Sequence, residues 1–198
     1  IDDVFREKEP GLSNLFSATY RRIIVMPDGS MSLPSWLKGA PHSNYAAIWS
    51  LCILVSQEHL ECPLRLTVSD KSLTRLPPEI ALLTELKELD LCGSSVNSLP
   101  DEITKLTQLK SLKADSLTDL PDSIGSLVSL FEMHLSHGTL LRIPRSIGNL
   151  SGLNLLNLSH NQIAELPCEM KGCKALRKMD LSGNQLVEMP DFFDGMKW

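Results

Sequence analysis

The sequence lacks the features that would mark a nucleic-acid binder, a membrane span or a familiar catalytic centre. Among 198 residues, 19 Lys and Arg are set against 24 Asp and Glu, for a net charge of -5. That balance withholds the basic face a nucleic-acid partner needs and the polybasic cluster an anionic membrane needs. The longest apolar run, residues 46–56 with Trp49, Leu51, Ile53 and Leu54, is about half the ~20 residues of a membrane span and predicts a buried helix instead. The chain opens on Ile1 without a signal-peptide pattern.

Five cysteines, Cys52, Cys62, Cys92, Cys168 and Cys173, form no C-x-x-C pair. Cys168 and Cys173 lack a matching pair elsewhere, so a metal framework is not expected and the thiols read as reduced and structural. This points to a cytoplasmic compartment, or to the host cytoplasm if the protein is a secreted effector. Neither a G-x-S-x-G, an H-E-x-x-H, a G-x-x-x-x-G-K-[ST] nor a G-x-G-x-x-G motif occurs. No enzymatic activity, cofactor or metal is therefore expected. His134 and His137 invite a metal reading, but one falls in a strand and the other in the turn after it, so they read as surface histidines. Cys92 faces outward, with no His or Lys beside it in sequence to lower its pKa.

What the chain has is a repeat. Six apolar–Pro dipeptides recur: Leu76-Pro77, Leu99-Pro100, Leu120-Pro121, Ile143-Pro144, Leu166-Pro167 and Met189-Pro190, with prolines 23, 21, 23, 23 and 23 residues apart. Apolar residues follow at three-residue steps, as in Ile147, Leu150, Leu153 and Leu156 after Pro144. The period then drops to two, giving Leu89/Leu91, Leu112/Ala114, Met133/Leu135, Leu156/Leu158 and Met179/Leu181. Period two puts both side chains on one face of a short strand. Period three suits a 3₁₀ segment returning along the opposite wall.

Asn161 and Asn184 stand three residues after Leu158 and Leu181, where the chain turns. An amide there can bond backbone groups of neighbouring turns and build a ladder. Ser94 and Gly138 replace it in two repeats, and Leu117 falls at that position in the 21-residue repeat. A local irregularity is expected over residues 114–120.

"LPDEITKLTQLKSL" and "IPRSIGNLSGLNLLNLSHNQIAELP" resemble the 23-residue repeats of intracellular leucine-rich-repeat proteins related to Ras-binding scaffolds. Similar repeats occur in plant proteins and in bacterial effectors. The resemblance implies an α/β solenoid, a horseshoe with parallel strands lining a concave, partner-binding face. It covers residues 62–198, about six repeats, with residues 1–61 expected to form a mostly helical N-terminal cap. The cap would cover the apolar end of the first repeat. Within it, a short helix is expected after Pro10-Gly11, a strand over 20–26, a turn at 26–29 and a helix over 44–60 after an N-cap at Ser43. Leu33-Pro34 reads as a degenerate repeat or a loop. Leu64 and Leu66 are expected to supply the first strand. Pro190, Phe193 and Met196 match the opening of a further turn, either a cap or the start of more repeats.

Residues alternating with the core leucines should project from the concave face in columns. One is Glu88, Ser111, Glu132, Leu155 and Lys178; a central one is Arg65, Asp90, Lys113, His134, Asn157 and Asp180; a third is Thr67, Cys92, Asp115, Ser136, Ser159 and Ser182. The candidate partner-binding residues are Arg65, Glu88, Asp90, Lys113, Asp115, Glu132, His134, Leu155, Asn157, Lys178 and Asp180. Acid clustered at Glu88, Asp90, Asp115 and Glu132 suggests a protein partner with a basic patch, bound by a monomer, with neither nucleic acid nor membrane involved. Leu155 is the apolar exception and a hot-spot candidate. The expected function is a protein-interaction scaffold; the alternative is the substrate-recognition part of a bacterial effector or ubiquitin ligase whose catalytic domain is elsewhere.

The register makes Leu156 a core position, so Leu156→Ala should cost about 2–5 kcal/mol in urea denaturation. A loss below about 0.5 kcal/mol would contradict the register.

Overall fold

The computed structural model describes residues 62–188 continuously, preceded by residues 24–25, 30–32, 48, 49, 52, 55 and 56. The expectations for 10–16, 26–29, 33–37 and 41–43, for Leu51 and Leu54, and for 189–198 lie outside the described residues.

Each of the five repeat prolines among the described residues starts a chain of three-residue turns. The amide three positions on donates to the proline carbonyl: Ile80 to Pro77, Ile103 to Pro100, Ile124 to Pro121 and Ile147 to Pro144 at 3.0 Å, and Met170 to Pro167 at 3.1 Å. The next links repeat the step, with the Leu83 amide donating to Ile80 O and the Leu86 amide to Leu83 O, both at 3.0 Å. Three residues per turn keep every third side chain on one face. Ile80, Leu83 and Leu86 are accordingly 0% exposed. Proline suits the start, because its φ is preset and it has no N–H to leave unpaired. The resulting 3₁₀ segments are Pro78–Leu82, Asp101–Lys105, Ile124–Ser126, Arg145–Asn149 and Cys168–Gly172.

The opposite wall is one sheet of eight described strands in sequence order. They are β1 (Ile24–Val25), β2 (Ser30–Ser32), β3 (Arg65–Thr67), β4 (Glu88–Asp90), β5 (Ser111–Lys113), β6 (Glu132–His134), β7 (Leu155–Asn157) and β8 (Lys178–Asp180). β1 is antiparallel to β2, and every later pairing is parallel. The core lies between the two walls. The period-two pairs from Leu89/Leu91 to Leu156/Leu158 are no more than 1% exposed, whereas Met179 and Leu181 are partly buried.

Two expectations at the N-terminal side are corrected. The first pair of the repeat is Leu66/Val68 and not Leu64/Leu66: Leu66 pairs with Leu89, and Leu64 is only half-buried. Nor is Arg65–Thr67 the first strand, because β2 pairs with it in parallel and Met31 stands opposite Leu66. Backbone bonding extends the sheet into a segment whose Ser-Met-Ser sequence carries no leucine pair. Between β2 and β3, residues 48, 49, 52, 55 and 56 are helical, inside the span where a helix is expected. Ile48 and Cys52 are fully buried and Val55 packs on the same core, the i, i+4, i+7 positions of one helix face.

The asparagine ladder is present. Asn161 Nδ2 donates to Leu135 O at 2.7 Å and Leu158 O at 2.9 Å, while its Oδ1 accepts from the Leu140 amide at 3.1 Å. Asn184 repeats the set one turn on, with Leu158 O at 2.8 Å, Leu181 O at 2.9 Å and the Ile163 amide at 3.1 Å. The bonds described for Ser94 stay within its own repeat: its hydroxyl donates to Leu91 O at 2.6 Å and accepts from Val96 N at 3.4 Å.

The 21-residue repeat is irregular where expected, in a specific way. Leu117 does not occupy the asparagine position. Its carbonyl accepts from Thr139 N, as Leu140 O accepts from Gln162 and Ile163 O from Gln185. Leu117 therefore takes the next apolar place and is 1% exposed; the asparagine and its successor are what is missing. Shortening the turn brings Leu117 O to where a side chain at 138 would be. A Cβ there would overlap Leu117 O and lie 2.7 Å from Asn161 Oδ1, so position 138 must be glycine.

Asn161→Ala removes four bonds to buried backbone groups; Leu158 O keeps its bond from Asn184, and a buried group left unsatisfied costs about 1–3 kcal/mol. Urea denaturation should show a loss of about 2–4 kcal/mol, against about 1 kcal/mol for Ser94→Ala. Equal losses would contradict a ladder that joins repeats only through asparagine.

Candidate protein-binding face

Strand alternation turns two side chains of each strand away from the core, and parallel pairing stacks them in columns about 4.8 Å apart. The pairing fixes column membership. Arg65 stands opposite Glu88 and Thr67 opposite Asp90, so Arg65 belongs to the first column and Thr67 to the central one. The expected placement of Arg65 beside Asp90 is corrected, for the reason that displaced Leu64. An ion pair follows from the true placement: Arg65 Nη2 lies 3.0 Å from Glu88 Oε1. The remaining candidates fall as expected, Glu132, Leu155 and Lys178 in the first column and Asp90, Lys113, His134, Asn157 and Asp180 in the central one.

The central carboxylates are already engaged by backbone. Asp90 Oδ1 accepts from the Cys92 amide at 2.9 Å. Asp180 Oδ1 accepts from the Ser182 amide at 2.9 Å and its hydroxyl at 2.7 Å. Asn157 makes the same pair of bonds to Ser159, at 2.9 and 2.8 Å. Asp115 receives the Gly93 amide from the neighbouring turn at 2.9 Å. Asp90 with Asp115, Asn157 and Asp180 thus close the turns after β4, β7 and β8. The Ser182 hydroxyl and amide hold the Asp180 carboxyl below the usual carboxylate range. The first column is less committed: Glu132 lies 3.9 Å from His134 Nε2, and Leu155 is half-buried. Lys113 and Lys178 form no ion pair among the described residues.

That turn requires left-handed backbone, with φ of +80° at Gly93, +75° at Ser116, +60° at His137, +56° at His160 and +71° at Gly183. His137 and His160 stack, with ring centroids 4.6 Å apart and planes 9° from parallel. The pair joins equivalent positions of successive repeats, 23 residues apart, a spacing readable in the sequence though His134 and His137 drew attention instead. Sequence reading also missed the exposure of Val128 and Phe131, at 59% and 48%. Their signal was substitution of apolar residues at positions held elsewhere by Thr107 and Lys110.

Cys92 sits in the third column. Desolvation of its thiol, followed by the Asp90 charge and bond and by Asp115, pushes the pKa up to about 12. Lys113 from the adjacent strand pulls the other way and is outweighed, so the thiol stays protonated near neutral pH. Among the described residues no three of His, Cys, Asp and Glu converge to hold a metal ion. A recess of about 290 Å³ on the strand face is lined by Arg65, Thr67, Glu88, Asp90, Ser111 and Lys113. On the outer wall another of about 530 Å³ opens beside the short repeat, lined by Asp101, Glu102, Asp119, Asp122 and Arg142 among others. Charged linings of this kind suit a polar macromolecular surface better than a small apolar ligand.

Two family descriptions match the chain: "Leucine-rich repeat region" over residues 56–142 and "Leucine rich repeat" over residues 128–186. A search of curated proteins gives no significant match. Among solved structures, an internalin from Listeria monocytogenes is similar at 21% identity and a TM-score of 0.55, over 66% of this chain and 36% of that one. A structure of the Toll–Spatzle complex from Drosophila is similar at 23% identity and TM-score 0.59, covering 66% of this chain and 18% of that one. The leucine-rich-repeat ectodomain of the receptor kinase SOBIR1 from Arabidopsis thaliana is similar at 28% identity and TM-score 0.51, over 58% and 66% of the two chains. This chain thus spans less than two thirds of the length of each. At such identities the first two establish the fold alone. The repeat-family matches meet the bonding pattern already described, and the chain belongs to the leucine-rich-repeat family.

Proposed function

We propose that the chain is a non-catalytic protein-interaction scaffold whose strand face binds one partner protein, acting as a monomer in the cytoplasm. The observation that carries this reading is the column geometry. Six parallel strands, β3 to β8, present side chains that the core does not use, and Lys113, Leu155 and Lys178 have no intramolecular polar commitment among the described residues. Proteins of this family commonly serve as protein-binding modules, which supports the same reading. The capping role of residues 1–61 belongs to this proposal, supported by the burial of Ile48 and Cys52 against the repeat core. The same face would serve an effector or ubiquitin ligase as its substrate receptor, with catalysis supplied by another domain.

The centre of the face, from Asp90 to Lys113, His134 and Leu155, crosses four strands and about 14 Å. That suits the middle of an interface burying about 800 Å² per partner. With a partner isolated by affinity capture, Lys113→Glu should slow association by about tenfold at low salt. Leu155→Ala should mainly hasten dissociation. If the doubly substituted protein stays folded by circular dichroism and binds with unchanged affinity, the strand face is not the binding surface.

A further inference from the structure

We propose that the rim where the chain enters the strands docks an acidic protein segment that carries an apolar anchor residue, in place of the basic-patch partner that the strand-face acids suggest from sequence; this names the partner chemistry within the protein-binding reading and rests on it. The residue before each strand is fixed by a backbone ladder of its own. The amide of Lys110 donates to Lys87 O at 2.7 Å, Phe131 to Lys110 O at 2.8 Å, Asn154 to Phe131 O at 2.8 Å and Arg177 to Asn154 O at 2.9 Å. These side chains therefore leave the solenoid as one row, spanning about 19 Å from Lys87 to Arg177. An extended segment of about six residues covers that length.

The middle of the row is apolar. Phe131 is 48% exposed, and Val128 in the turn before it is 59% exposed. The Leu155 amide donates to Phe131 O at 3.2 Å, which seats the half-buried Leu155 side chain on the adjoining strand. Gly152 borders the patch without a packing reason to be glycine. A Cβ there would meet nothing nearer than 3.9 Å, at Leu130 O and Val128 O, and its φ is not positive. The equivalent positions hold Glu85, Gln108, Ser129 and Ala175, so glycine here leaves the space over Val128 open.

Cations stand on both sides of the patch. Lys87 and Lys110 lie before it and Arg177 and Lys178 after it, and none forms an ion pair among the described residues. Of the nearby acids, Glu88 is paired with Arg65, Glu132 lies 3.9 Å from His134 Nε2, and Glu85 stands two residues before Lys87. The strand ends opposite carry Asp90, Asp115 and Asp180. In a chain of net charge -5, this rim is a local positive field flanking an apolar centre. Such a field steers an acidic segment into register, while an aliphatic or aromatic residue of the partner covers Phe131 and Val128.

The test is selection of random dodecapeptides displayed on phage against the full chain. The expected result is enrichment of peptides with excess Asp and Glu around a Leu, Ile, Phe or Trp. A selected peptide, made synthetically, should lose at least about tenfold in affinity against Phe131→Ala. Lys110→Glu, which leaves the apolar patch intact, should weaken it comparably, and the charge reversal Arg145→Glu on the outer 3₁₀ wall should change it by less than about threefold. Enrichment without acidic bias, no enrichment, or unchanged affinity for Phe131→Ala and Lys110→Glu overturns the rim as an acidic-segment site. Binding of the chain to phosphatidylserine vesicles that both rim variants abolish also overturns it, in favour of a lipid surface. Peptides sensitive to Lys113 and His134 but not to Phe131 or Lys110 would sink the rim alone and leave the strand-face reading standing; sensitivity to neither set would sink both.

Discussion

The structure depends on one constraint: the backbone after each strand must meet the carbonyl of the equivalent strand in the next repeat. Val68 donates to Asp90 O, Leu91 to Lys113 O, Ala114 to His134 O, Leu135 to Asn157 O and Leu158 to Asp180 O, all at 2.8–2.9 Å. A parallel ladder of this kind has a fixed spacing of about 4.8 Å, so each circuit of the chain must climb by that amount and no more. Proline-started 3₁₀ turns bring the chain back along the outer wall with its leucines inward. A left-handed residue follows each strand from β4 to β8, and the asparagine amides bond the carbonyls that the turn would leave buried and unpaired. The side chains of the strand face are in columns because the ladder puts them there. Any binding surface on it is a consequence of backbone bonding.

The short repeat shows how strictly the constraint acts. Two residues are lost from its turn, yet Ala114 keeps its bond to His134 O and Leu117 keeps its role as acceptor for Thr139. The loss is absorbed where the ladder does not run. It removes the asparagine, requires glycine at 138, and leaves the 3₁₀ segment Ile124–Ser126 at three residues where its neighbours have five. The outer wall opens into its recess between Asp101 and Arg142 at this same point. The inner wall stays regular because the outer wall is allowed to vary.

Much of this was legible in the sequence because it is periodic. Leucines at three-residue and then two-residue steps specify turn and strand directly, and the positions of Asn161 and Asn184 specify the ladder. What was less legible lacks a period of its own. β2 has no leucine pair, and only backbone pairing reveals it. Arg65 was misplaced because Leu64/Leu66 imitates the core pair, although stepping back 23 residues from Leu89 lands on Leu66. The acids on the strand face were legible as outward-facing but not as turn-closing groups, since Asp90 and Cys92 are ordinary neighbours in a list of residues. Phe131 escaped notice because its position belongs neither to the leucine steps nor to the strand columns. Its exposure follows from a rim geometry that a count of leucines does not describe.

Hydrogen exchange tests the central role of the inter-repeat ladder most directly. The amides of Leu91, Ala114, Leu135 and Leu158 each have one partner, a carbonyl of the next strand. The account predicts that all four exchange slowly and at rates within about tenfold of one another, because they open only when neighbouring repeats separate. That equality should include Ala114, inside the irregular repeat. Fast exchange at Ala114 and Leu135, with protection kept at Leu91 and Leu158, would show that the short repeat breaks the ladder and would contradict the account.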